Sequence, residues 1–163
     1  MAAGKTYVPL ASVTISTANN SQLVMSSIPA TYTDLILVAN VKGVGAGYPK
    51  IQINGSGTGI NRMCINNSGA GVGASRDALN YITAGTTVDT SNFVFNSITQ
   101  FQNYSNTTTY KTLITRINSA SAGIEIVVNS WNSTSAITSI TYDLSTYNMA
   151  VGSTFNLYGI AAA

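Results

Sequence analysis

The sequence contains no histidine among its 163 residues and a single cysteine, Cys64. Histidine is the commonest general base and the commonest transition-metal ligand, so its absence argues against most catalytic triads and zinc sites. A single cysteine excludes an intrachain disulfide. Because Cys64 stands between the apolar residues Met63 and Ile65, we expect a buried and chemically inert thiol.

Charged residues are also scarce. They make up 7% of the chain, with a net charge of +2, whereas an ordinary soluble domain has about 25%. The cations are scattered, so the chain lacks the basic footprint of a nucleic-acid-binding protein. Hydrophobic residues, at 45%, suffice for an ordered core. So neutral a surface favours a protein that partners cover, and a monomer solubilised by Thr and Asn is the alternative.

Acid–base chemistry has few candidates, because only five carboxylates are present and none has a metal-binding or catalytic spacing. They are Asp34, Asp77, Asp89, Glu125 and Asp143. The glycine-rich runs that begin at Gly43, Gly55 and Gly69 lack the Gly-Lys-Ser/Thr ending of a phosphate loop. We therefore predict no catalytic residue, no cofactor and no metal site, so the chain is not expected to be an enzyme. The rival hypothesis is a glycan depolymerase in which two carboxylates converge.

Helical periodicity and long apolar runs are missing, and the first residues lack the apolar core of a secretion signal. Short runs of β-branched and aromatic residues, separated by Gly, Asn, Ser and Pro, indicate strands instead. The predicted strands are Tyr7–Ile15, Gln22–Ile28, Asp34–Lys42, Lys50–Ile53, Arg62–Ile65, Asn92–Tyr104, Thr109–Ile117, Gly123–Trp131, Ile137–Leu144 and Thr154–Ile160. In Gly123–Trp131, Ile124, Ile126 and Val128 share one face and Glu125, Val127, Asn129 and Trp131 share the other, as in a sheet with one core face.

These strands predict an all-β fold, an antiparallel β-sandwich that is jelly-roll-like, with two four-stranded sheets. An immunoglobulin-like sandwich is the alternative, but it needs fewer residues and a Cys and Trp spacing that is missing. Gly69–Gly73 and Thr83–Ser91 are small and polar, with Asn80-Tyr81-Ile82 between them. They predict a long polar mid-chain loop region, with one short strand or helical turn near Ser75–Leu79. The predicted organisation is an extended N-terminal arm, residues 1–9, and a single β-sandwich domain, residues 10–163.

Nine tyrosines stand out in a chain so poor in charge. Tyrosine offers a large contact area at low entropic cost and is enriched at protein interfaces. We predict an interface from tyrosines in loops or at strand ends, together with one lysine of the arm. The alternative is that the tyrosines close the ends of the sandwich core. The candidate interface residues are Lys5, Tyr7, Tyr48, Tyr81, Tyr104 and Tyr147.

Four segments carry a resemblance to known proteins. They are Ser27–Leu35 (SIPATYTDL), Phe101–Thr112 (FQNYSNTTTYKT), Trp131–Ile140 (WNSTSAITSI) and Gly152–Ile160 (GSTFNLYGI). With its Ser-Thr-Phe-x-Leu-Tyr-Gly-Ile ending, the chain resembles a group of small structural proteins from tailed-phage virions. The resemblance covers most of the chain from Ser26 onward and is weakest over residues 43–91 and the first ten residues.

The resemblance implies a homotrimeric virion component with a β-sandwich fold, made in the cytoplasm of a bacterial host. We expect a capsid decoration (cement) protein that binds between major capsid proteins on the outer capsid surface. This location is favoured because the chain lacks the heptads and repeats of a fibre shaft. No direct contact with nucleic acid or membrane is expected. The alternative is a tail-fibre or receptor-binding module that recognises a host-surface glycan.

Overall fold

In the computed structural model the chain forms two antiparallel β-sheets. The structure describes residues 6–17, 21–45, 48–67, 72–79, 81–84, 94–119, 123–145 and 147–161. The strands in these ranges are β1 (Tyr7–Thr14), β2 (Gln22–Met25), β3 (Asp34–Val41), β4 (Lys50–Ile53), β5 (Ile60–Asn67), β6 (Val72–Leu79), β7 (Ile82–Thr83), β8 (Phe95–Gln102), β9 (Lys111–Ser119), β10 (Gly123–Trp131), β11 (Ile140–Asp143) and β12 (Thr154–Ile160). No helix in the described ranges is long and apolar enough to cross a membrane.

The order of the strands confirms the predicted jelly-roll-like sandwich. The first sheet has the order β1-β12-β3-β8-β9-β10-β5-β6 and the second β2-β11-β4-β7. Without the hairpins β5–β6 and β9–β10, the chain crosses from one sheet to the other at every connection except the one between β4 and β7, which are neighbours in the second sheet. This is the pattern of a jelly roll. The two hairpins lengthen the first sheet from four strands to eight, so the prediction of two four-stranded sheets is corrected for this sheet.

The middle of the chain is more ordered than its composition predicts. Residues 72–79 form the full-length strand β6, which pairs with β5 from Leu79 opposite Ile60 to Val72 opposite Asn67. Small polar residues have little strand preference of their own, so backbone pairing with β5 decides their conformation. A short strand was one of the two expectations for Ser75–Leu79, and it is confirmed but begins earlier, at Val72. The loop prediction is therefore wrong for residues 72–74, while residues 68–71, 80 and 85–93 lie outside the described residues.

The N-terminal segment joins the first sheet. Tyr7 pairs with Ile160 and Pro9 with Tyr158, and the register shifts between Pro9 and Ala11. The boundary predicted between residues 9 and 10 therefore falls inside β1, and residues 1–5 of the predicted arm lie outside the described residues. β1 is an edge strand, a position that suits Pro9, which lacks an N–H for a central ladder.

Aromatic side chains fill the space between the sheets. Phe95, Phe101 and Phe155 of the first sheet are fully buried, as is Tyr142 of the second. The rings of Tyr142 and Phe155 meet edge to face with their centroids 4.9 Å apart, a favourable aromatic geometry that joins the sheets. Cys64 is buried, which confirms its predicted location.

Replacing Tyr142 with Phe tests the effect of this buried hydroxyl on alkaline stability. Burial raises the pKa of Tyr142 far above its usual value of 10.0. Near pH 10 the Tyr142 hydroxyl then loses its proton only in the unfolded chain. The free energy of unfolding therefore keeps its full value below that pH and falls as the pH rises above it. We expect Tyr142→Phe to unfold at a higher pH than the wild type, with stability at neutral pH unchanged to within about 1 kcal/mol.

Urea unfolding followed by circular dichroism, at several values between about pH 7 and pH 11, measures this difference around the tyrosine pKa. Tyr110→Phe is the matched control, because Tyr110 is exposed and its removal should leave the pH profile unchanged. Identical profiles for the wild type and Tyr142→Phe contradict the prediction.

Candidate interaction surfaces

The outer face of the eight-stranded sheet is apolar where β5, β10 and β9 lie side by side. The exposed fractions are 50% for Met63, 45% for Ile65, 63% for Ile124 and 50% for Ile126. Ile126 pairs with Ile65, and Val128 pairs with Met63 on one side and Ile114 on the other. Side chains at paired positions stand on the same face with Cβ atoms about 5 Å apart. We name Met63, Ile65, Ile114, Ile124, Ile126 and Val128 together the apolar sheet face.

Among the side chains that the structure describes, one cation lies at the edge of the apolar sheet face. Arg116 of β9 is exposed and lies opposite Ile126 on β10 and Ile98 on β8. A shallow groove of about 210 Å³ runs beside it, lined by Asn96, Ile98, Arg116, Ile117 and Asn118. Within the described part of the chain, Arg116 has no hydrogen-bond or ion-pair partner. An apolar surface with one unpaired arginine is therefore open to solvent.

The polarity of β10 is opposite to the usual arrangement. Its isoleucines point outward, while Glu125, Val127, Asn129 and Trp131 are buried. The adjoining core also holds polar groups, such as the hydroxyls of Thr99 and Thr115, which are 3.0 Å apart. The residues of the apolar sheet face are not among the sequence-predicted interface residues. The alternation of residues along β10 could have pointed to them, but alternation alone does not say which of the two faces of a strand is buried.

Three of the predicted interface tyrosines lie at one end of the sandwich. Tyr48 precedes β4 and is exposed, and Tyr147 follows β11 and is partly exposed. The Tyr147 ring packs on Gly45, where a Cβ would come within 2.3 Å of it. Tyr81 precedes β7, and the Lys50 ammonium lies 4.6 Å from the centre of its ring. We name this part, Tyr48, Tyr81 and Tyr147 with Lys50, the tyrosine end.

The remaining predicted interface residues do not join this group. Tyr7 begins β1 at the opposite end of the sandwich, where its ring meets that of Tyr158 at 6.4 Å. Tyr104 is fully buried; its hydroxyl donates to the carbonyl of Pro29 and accepts from the N–H of Tyr32 at 3.3 Å. Burial also raises the pKa of Tyr104. Its prediction as an interface residue is corrected, because it closes the core. Lys5 lies outside the described residues.

A buried lysine links two loops at the end opposite the tyrosine end. Lys111 is fully buried, and its Nζ donates to the carbonyls of Thr109 at 2.8 Å and Thr134 at 3.4 Å. Burial lowers its pKa, because desolvation disfavours the charged form. The lysine therefore joins the segments before β9 and after β10, and it is not available as a surface cation.

The carboxylates that the structure describes are separated and engaged. Asp34 accepts from Gln100 Nε2 and the N–H of Asn103, both at 2.9 Å. Asp143, at the opposite end of the sandwich, accepts from Gln22 Nε2 at 3.1 Å and the N–H of Ser145 at 2.6 Å. No group of three or more potential metal ligands occurs in the described ranges. The side chains of Asp77 and Asp89 lie outside the description, so the absence of a catalytic pair stays a prediction.

Comparisons with protein-family models, curated proteins and solved structures give no match to this chain. No relative therefore supplies a function. The two surfaces described above, together with the sequence resemblance, are the observations on which a functional proposal can rest.

Neighbouring residues of β10 test which face is outside. Ile126→Thr removes apolar surface that is half exposed, and Thr is well suited to strands. The free energy of unfolding should therefore change by less than about 0.5 kcal/mol. Val127→Thr is the matched variant on the buried face, where an added hydroxyl should cost about 1–3 kcal/mol. Urea unfolding of both variants measures the difference, and equal losses would show that the face assignment is wrong.

Proposed function

We propose that the protein is a structural component of a tailed-phage virion, specifically a capsid decoration protein that binds between major capsid proteins and stabilises the head. The observation that carries this proposal is the apolar sheet face. Large exposed apolar patches on folded proteins mark sites of interaction. A protein that spends its working life on a lattice can carry such a surface, because assembly covers it.

The energetics of the apolar sheet face favour a partner. Full burial of an aliphatic side chain contributes about 1.5–3 kcal/mol, and four side chains here are about half exposed. Covering them therefore contributes roughly 1 kcal/mol each. A contact of this strength is modest for one copy, but it becomes substantial when a homotrimer engages several capsid subunits at once.

The composition and fold support the same proposal. The low net charge of +2 gives the chain little colloidal protection as a free protein, whereas coverage by neighbours removes that disadvantage. Jelly rolls occur in viral capsid proteins and lectins. The proposed partners are the major capsid protein and two further copies of this chain.

A second candidate function is a receptor-binding module that recognises a host-surface glycan, and the tyrosine end is the observation that favours it. Aromatic rings give flat apolar surfaces, and nearby amides and hydroxyls can donate and accept hydrogen bonds. Tyr48 and Tyr147 are accessible there, and Lys50 adds a cation beside the ring of Tyr81.

The decoration proposal predicts a change in the thermal stability of the particle. Particles from which the protein has been removed should release their DNA at a lower temperature than complete particles, and adding the protein back should restore the difference. A ligand that binds only the assembled state stabilises it by about 2.7 kcal/mol at a concentration of 100 Kd. Differential scanning fluorimetry with a DNA-binding dye measures the release, and identical curves would exclude the decoration role.

The glycan alternative predicts that the isolated protein binds host-surface polysaccharide and blocks phage adsorption. Tyr147→Ala should then weaken binding at least about tenfold, which corresponds to roughly 1.4 kcal/mol. Tyr110→Ala is the control, because Tyr110 is exposed but lies at the opposite end of the sandwich. Isothermal titration with the purified polysaccharide measures the affinity, and equal affinities of the two variants count against the tyrosine end as a glycan site.

A further inference from the structure

We infer that the apolar sheet face docks on a different protein whose matching surface is apolar and carries a carboxylate for Arg116, and that this face is not the contact between copies of this chain. The inference rests on the proposed decoration function and specifies the chemistry of the partner. Under that function, the partner is the major capsid protein.

The argument starts from the position of Arg116. The residue lies opposite Ile126 and Ile98, so a partner that covers these isoleucines must also cover the guanidinium or contact it directly. Removing an arginine from water without an anion is strongly unfavourable. A carboxylate on the partner solves this, because guanidinium and carboxylate form two parallel hydrogen bonds.

The described part of the chain offers no carboxylate for this role. Asp34 already accepts from Gln100 and Asn103, and Asp143 accepts from Gln22 and Ser145. Glu125 is buried. Asp34 is also remote, because it lies two strands from Arg116 and four residues before Val38, the residue of β3 in line with Arg116.

Self-association through this face is disfavoured for the same reason. In a twofold contact the same face is presented by both copies. The described side chains of that face include no carboxylate, so neither copy's Arg116 meets an anion there. In a cyclic contact the face meets another surface of the next copy, which again must supply a carboxylate. The two acidic side chains outside the description, Asp77 and Asp89, are therefore part of the experiment.

The experiment measures rebinding of the purified protein to phage particles that lack it. Arg116→Glu should bind at least about tenfold more weakly than the wild type, and Arg116→Lys, which keeps the charge but loses the paired geometry, should fall between them. Raising the salt concentration should weaken the binding of the wild type to particles and have less effect on the binding of Arg116→Ala. Lys42→Glu is the matched control, because it makes the same charge change at an exposed position outside the apolar sheet face, and it should bind like the wild type.

Light scattering after gel filtration and urea unfolding complete the test. We expect Arg116→Glu to keep the oligomeric state and the unfolding midpoint of the wild type. Asp77→Asn and Asp89→Asn should rebind to particles like the wild type and keep its oligomeric state. Wild-type affinity of Arg116→Glu for particles overturns the inference and leaves the decoration function standing. Loss of the oligomer in Arg116→Glu, Asp77→Asn or Asp89→Asn also overturns it, because the face is then a contact between copies. Failure of the wild type to bind particles rejects the decoration function itself.

Discussion

The backbone pairing between β8 and β9 determines the architecture, because it carries the first sheet past the width of the second. The register runs from Phe95 opposite Ser119 to Gln102 opposite Thr112. β10, β5 and β6 then add to β9 in turn. Without this ladder the molecule is a plain jelly roll of eight strands, and the strands that form the apolar sheet face have no sheet to join.

The same register also sets which side chains are buried. A slip of one residue exchanges the two faces of a strand, so in β10 it would bring Ile124 and Ile126 inward and expose Glu125. The same slip would also expose Val127 and Trp131, which are buried. The observed register is held on both sides, because β10 pairs along its whole length with β9 and along eight residues with β5. The outward isoleucines are thus unfavourable for the isolated chain and favourable once a partner covers them.

The period of two in the apolar residues made much of the sandwich predictable from the sequence. β3 shows this well, since Leu35, Leu37, Ala39 and Val41 are buried in strict alternation. β6 was predictable only at its end, as a short strand or helical turn near Ser75–Leu79, because its residues 72–77 carry little apolar signal and owe their strand conformation to β5. The inserted position of the two hairpins depends on contacts distant in sequence, which local patterns do not encode.

The exposure of the candidate interface residues was predictable only in part, for a related reason. Composition drew attention to tyrosine, but it cannot distinguish a ring at a strand end that faces solvent from one that closes the core. Tyr147 and Tyr104 illustrate the two outcomes: one lies over Gly45 and keeps part of its surface exposed, and the other is buried with its hydroxyl bonded to Pro29. The apolar sheet face escaped prediction because aliphatic residues in a strand are ordinarily core residues.

The positions of the two surfaces decide how they can be used together. The apolar sheet face is the outer side of the first sheet, whereas Tyr48, Tyr81 and Lys50 adjoin the strands β4 and β7 of the second sheet. The second sheet packs on the inner side of the first, so the two surfaces are separated by the thickness of the sandwich, about 10 Å between sheets. A partner docked on the apolar sheet face therefore leaves the tyrosine end accessible. Attachment to a particle and contact with a second ligand are geometrically compatible in one chain.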